Sequence, residues 1–117
     1  MDVVEVSRIR RAGERTGEAF LRRVFTPGER SYCNGFPDPW PHLASRFSAK
    51  ESVIKALGFT ADLLEIEVIR PGSGPPGVLL HGAARRVATE RGILDLRISM
   101  SHSGNIAVAT ALALGRA

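Results

Sequence analysis

The 117-residue sequence holds one cysteine, Cys33, which excludes an internal disulfide framework. With no second cysteine and no closely spaced histidine pair, it offers no zinc site either. Lysine is nearly as scarce: Lys50 and Lys55 are the only two, so arginine supplies the rest of the 16 cations. Aromatic residues make up 6% of the chain, with no arginine-aromatic interleaving of the kind that stacks bases. That weighs against a small basic nucleic-acid-binding domain, the reading that a pI near 10.2 would otherwise favour. No long hydrophobic run is present. The longest apolar stretch, Ile106 to Leu114, is alanine-rich and too short to cross a bilayer, and no secretory h-region opens the chain. The expectation is a cytoplasmic protein with no membrane or nucleic-acid partner.

What is there points to a folded domain. Hydrophobic residues at 44% and charged residues at 24% are ordinary for a globular chain. The length suits a single domain spanning 1–117, burying about two thirds of the surface of its unfolded form, too little for a deep private cleft. The net charge of +4 suits an acidic partner or a polyphosphate.

The pattern along the chain predicts an α+β domain. Val3 to Val6 suits a short strand, and the arginine-rich run from Ser7 to Arg15 a helix broken near Thr16-Gly17. Glu18 to Val24 continues helical. Thr26-Pro27-Gly28-Glu29 starts a further small helix, with Thr26 as cap and Glu29 reaching back. The clearest helix runs from Pro41 to Leu57 and stops at Gly58. At about 100° per residue, Leu43, Phe47, Ile54 and Leu57 form an apolar stripe expected to pack on a sheet, with Lys50 in its middle. Strands are predicted over 64–70 and 77–80, a helix over 82–91, and a C-terminal hairpin turning at Ser103-Gly104-Asn105. In the last strand Ala107, Ala109, Ala111 and Ala113 share one side, an invitation to close approach by a helix. The order lacks regular βα alternation and shows no repeats.

Three ordered segments carry chemistry: Asp2-Val3-Val4-Glu5-Val6-Ser7-Arg8-Ile9, Arg46-Phe47-Ser48-Ala49-Lys50-Glu51-Ser52-Val53-Ile54-Lys55, and Ile98-Ser99-Met100-Ser101-His102-Ser103. Together they resemble the 4'-phosphopantetheinyl transferases, and in size and order their small holo-[acyl-carrier-protein] synthase branch. The resemblance implies that family's α+β fold, an antiparallel-rich sheet packed by a long central helix. It implies transfer of the 4'-phosphopantetheine arm of coenzyme A to a serine of an apo acyl carrier protein, in fatty acid or polyketide synthesis, with release of 3',5'-ADP.

The resemblance makes Asp2 and Glu51 the ligands of a magnesium ion, whose hard character suits one or two carboxylates plus water and phosphate oxygens. It makes Glu51 and Lys55 the catalytic pair, Glu51 as candidate base for the carrier serine. Coenzyme A contacts are implied for Arg46, Lys50, Lys55, Ser101 and His102. Read without the family, Glu51 and Lys55 form an ordinary i,i+4 surface pair worth about 0.3–0.5 kcal/mol. Lys50 must either surface at a phosphate or find a buried carboxylate. His42 and His81 lie outside the motifs and read as structural. Arg8, Arg11 and Arg15, at spacings of three and four, form a ridge suited to an acidic carrier protein. The branch is trimeric, with coenzyme A between subunits, and the same is implied here. Family members carry several residues ahead of the metal aspartate, whereas only Met1 precedes Asp2, so an inactive transferase-like domain with an incomplete first strand is the alternative.

Overall fold

The computed structural model describes residues 1–115. The chain runs β1 (Asp2–Glu5), α1 (Val6–Thr16), α2 (Glu18–Val24), α3 (Pro27–Cys33), α4 (Trp40–Leu57), β2 (Ile66–Ile69), β3 (Gly77–Leu80), α5 (Gly82–Glu90), β4 (Ile93–Ser103) and β5 (Ile106–Gly115). A three-stranded antiparallel sheet has the order β1-β5-β4, and β2 and β3 form a separate antiparallel ladder.

Local chemistry sets most boundaries. α3 begins with a complete capping box, in which Thr26 Oγ1 accepts from Glu29 N while Glu29 Oε1 accepts from Thr26 N. α4 ends on Gly58, whose φ of 66° is left-handed space that a Cβ would strain. The strand expected over 64–70 is shorter: Asp62 accepts from Leu64 N and turns Leu63–Glu65 into a 3-10 segment, so pairing starts at Ile66.

α4 lies across the sheet on a different face from the one expected. Phe47 and Ile54 are only partly buried, whereas Ser45, Ser48, Ala49 and Ser52 are buried. The reason is β5, whose Ala107 and Ala109 are closed over completely, so that a small-residue face of the helix can approach. Serine hydroxyls then reach the strand backbone: Ser52 Oγ donates to Ala109 O at 2.9 Å, and Ser48 Oγ donates to Asp2 O at 2.7 Å. The larger side chains at either end of α4 fill two clusters. Leu43 packs with Val4, Ile9, Val24 and Phe25, and Val53 and Leu57 pack with Ile66, Ala84 and Ala88.

Candidate active site

Asp2 pairs with Ala109 in the β1–β5 ladder, and its carbonyl is held by Ser48. Asp2 is therefore held by strand pairing and by α4. Its carboxylate Oδ1 lies 3.0 Å from Lys55 Nζ, with the aspartate side chain 17% exposed. Ser48 and Lys55 both reach Asp2, and Glu51 lies on the same helical face between them, one turn before Lys55. Lys55 thus pairs with Asp2 across the strand-helix contact. The surface pair with Glu51 read from spacing alone is replaced by this longer-range one. Among the described residues no cluster of three or more His, Cys, Asp or Glu surrounds a metal position. Asp2 and Glu51 are hard oxygen donors of the type that magnesium takes together with phosphate oxygens and water.

Arg46 points away from that group. Nine residues separate it from Lys55, which at about 100° per residue puts the two on opposite flanks of α4. The same division holds in the sheet. Asp2 is on β1 and His102 on β4, with β5 and its overlying helix between them, two strand spacings or about 10 Å of sheet. On the β4 side, Arg46, Ser101 and His102 line one cleft of about 400 Å³ together with His42, Tyr32 and Arg70. Arg46 is 4% exposed, stacks its guanidinium 4.3 Å from the Tyr32 ring centre and donates from Nη1 to His42 O at 3.2 Å. Its Nε has no hydrogen-bond partner among the described residues.

Lys50 is corrected. It is fully buried, and its ammonium donates to Val24 O at 2.6 Å and Leu63 O at 2.9 Å while lying 2.6 Å from Glu29 Oε1. All three N–H donors are consumed, so none remains for coenzyme A. Burial pushes the ammonium below the usual lysine range and Glu29 opposes that shift. The capping-box glutamate is the buried partner, and it also accepts from Val68 N through Oε2 at 2.8 Å. Lys50 therefore joins α4 to α3 and β2 as an anchor.

Arg8, Arg11 and Arg15 line a second, larger cleft of about 700 Å³, with Arg23 added from α2 and Phe20 and Phe47 supplying apolar surface. Glu14 lies in the same lining, so the groove is basic but not uniformly so. His81 is bonded to Glu67 at 3.0 Å, consistent with a structural histidine. His42, also expected to be structural, stacks its ring on Phe36 at 3.6 Å and meets His102 edge-on at 5.2 Å in the lining of the smaller cleft. Its spacing of four residues before Arg46, across one helical turn, is the sequence signal that places it there.

The chain belongs to the 4'-phosphopantetheinyl transferase superfamily, whose family model matches residues 1–111. Within it, the chain is similar to curated holo-[acyl-carrier-protein] synthases. That of Desulforudis audaxviator is 46% identical over 118 residues, covering 98% of this chain and 90% of the relative. Among solved structures, the holo-[acyl-carrier-protein] synthase of Neisseria meningitidis superposes with a TM-score of 0.88 at 30% identity, covering 97% of this chain and 94% of that one. The synthase of Chronobacterium ammoniagenes in complex with coenzyme A superposes with a TM-score of 0.86 at 30% identity, covering 99% and 95%. The expected α+β architecture is therefore that of the family.

Proposed function

We infer that this chain is a holo-[acyl-carrier-protein] synthase, transferring 4'-phosphopantetheine from coenzyme A to a serine of an apo acyl carrier protein and releasing 3',5'-ADP. The observation that carries the reading is the convergence of all three motifs on α4, within a chain matched over nearly its whole length by enzymes of that name. The whole of 1–117 acts as one transferase domain.

The phosphate-handling groups form two half-sites on opposite flanks of α4. On one flank Asp2 and Glu51 would hold magnesium, which when bound supplies charge neutralisation for the diphosphate. Ser48 fixes the backbone of Asp2, and Lys55, 57% exposed, turns from Asp2 to a diphosphate oxygen. An ammonium about 4 Å from one phosphate charge contributes roughly 4 kcal/mol at an effective dielectric of 20. Glu51, half-buried on the same face, accepts the proton of the attacking serine. On the other flank Arg46, Ser101 and His102 take the nucleotide end. Arg8, Arg11 and Arg15 dock the acidic carrier through the larger groove.

Two half-sites that face away from each other in one chain are joined when copies assemble, and we assign a homotrimer with each site between two subunits. The outer face of the three-stranded sheet supports this. Val3, Ile106, Leu112 and Leu114 are each between 41% and 56% exposed there, an apolar surface that favours burial. Such a protein works in the cytoplasm. No helix among the described residues is long and apolar enough to cross a membrane.

The test is incubation with an apo carrier protein, coenzyme A and magnesium, reading the mass of the carrier. Gain of the phosphopantetheine arm is expected, lost with Glu51→Gln and strongly reduced with Lys55→Ala. A carrier of unchanged mass with the wild-type protein rejects the assignment.

A further inference from the structure

The smaller cleft is built for an anion. Four nitrogen-bearing side chains, His42, Arg46, Arg70 and His102, line it, and no carboxylate does. Arg46 is almost wholly buried in the wall of the cleft, and its Nε has no hydrogen-bond partner among the described residues. Its Nη1 bond to His42 O ties the guanidinium and His42 to one turn of α4. Stacking on Phe36 at 3.6 Å with a 15° interplanar angle fixes the plane of the His42 ring, and the His102 ring stands edge-on at 5.2 Å.

Around His42, Arg46 comes from its own helix, His102 from β4, Asp38 from the loop before α4 and Arg70 from the residue after β2, with Tyr32 and Phe36 completing the lining. Among the described residues Asp38 is the one carboxylate acting on His42; its side chain is 58% exposed and shared with Arg10 at 3.9 Å. Burial first, then His102 and Arg46, hold the His42 imidazole below the usual histidine range, against a weaker pull from Asp38. Burial, His102 and Arg46 thus favour the neutral imidazole in the free cleft.

We propose that His42 is a further binding residue of this cleft, joining Arg46 and His102 around a phosphate of coenzyme A and taking up a proton as the phosphate enters. The proposal rests on the coenzyme A reading above. A phosphate brought among these groups replaces a repulsive cationic surrounding with an attractive anionic one, and imidazolium then donates from both ring nitrogens. The imidazole is raised by the ligand, so the gain in affinity is complete below the free-state value, itself under 6.5. It is lost as pH rises through the ligand-bound value.

Calorimetric binding of coenzyme A to the wild-type protein and to His42→Phe, which keeps an aromatic ring on Phe36, tests this. Expected is a wild-type advantage of about tenfold near pH 6 that shrinks to about twofold or less near pH 8, from loss of one charge-assisted contact. Measured in buffers of different ionisation enthalpy, wild type should take up more protons than the variant. Dephospho-coenzyme A separates the sources: an advantage that disappears with it assigns the contact to the 3'-phosphate, and one that persists assigns it to the diphosphate. A ratio constant with pH, with equal proton uptake, overturns the proposal. A second reading needs no variant: NMR titration of the wild-type His42 ring with and without coenzyme A should show its midpoint rise, and an unmoved midpoint overturns it. Coenzyme A that fails to bind wild type at any pH refutes the functional assignment itself, whereas binding with His42 unmoved refutes this inference alone.

Discussion

At the residue scale, the molecule separates two lysines that look alike in the sequence. Both sit in one motif five residues apart, and only the third dimension distinguishes them. Lys55 is an exposed cation beside Asp2, whereas Lys50 spends its three protons on Glu29 and two carbonyls. Lys50→Met conserves volume but strands a buried carboxylate, so it should cost about 3–5 kcal/mol of stability, read as a large fall in the denaturation midpoint. A variant as stable as wild type would show that Glu29 does not depend on Lys50. Cys33 follows the same logic of burial. It is inaccessible, and desolvation pushes its thiol up to about 11, so iodoacetamide at mildly alkaline pH should label it only after unfolding. The sequence limits Lys50 to a phosphate or a buried carboxylate but cannot choose, because Glu29 is 21 positions away and already explained by its capping role.

At the scale of elements, capping chemistry and glycine positions make boundaries legible: Thr26 and Glu29 open α3, Gly58 closes α4, and Gly104 turns the β4–β5 hairpin. The rotation of α4 about its axis was not legible. An apolar stripe was expected to meet the sheet, yet helix serines and strand alanines meet there, because close backbone approach and two hydroxyl-carbonyl bonds outweigh larger side chains that have room at both ends. Ser48→Ala removes the hydroxyl that holds Asp2, and should cost about 1 kcal/mol in stability together with a loss of transfer activity larger than that destabilisation explains. Equal activity at saturating magnesium would show that strand pairing alone places Asp2. The join between β2 and α3 carries its own pH dependence. The Thr26 hydroxyl donating to Glu67, with His81 assisting, holds the Glu67 carboxyl below its usual range of about 4.5. A depressed folded value means that its contribution is present above the unfolded value and lost as pH falls through the folded one. Acid denaturation followed by circular dichroism should therefore show Glu67→Gln less sensitive than wild type below about pH 4.5.

At the scale of the whole molecule, the motifs name the proposed site residues but not that these divide between two flanks. Linear order puts Arg46 nine positions from Lys55, and the helix turns that spacing into opposite flanks. In the proposed assembly the outer sheet face would close the site, with Leu112 on β5 at 56% exposure opposite Arg97 on β4. Leu112→Glu should shift the mass measured by light scattering from an oligomer toward a single chain and remove activity with it, while leaving the circular dichroism spectrum in place. An unchanged mass would remove this face from the interface.

Complementation between two inactive chains tests the divided site most directly. Glu51→Gln disables one flank of α4 and His102→Ala the other, and each variant alone should transfer little or nothing to the carrier protein. Co-expressed in one assembly, they should restore about a quarter of wild-type activity, because that share of interfaces would pair two intact flanks. A mixture no more active than its components, beside an active wild type, would contradict a site shared between chains.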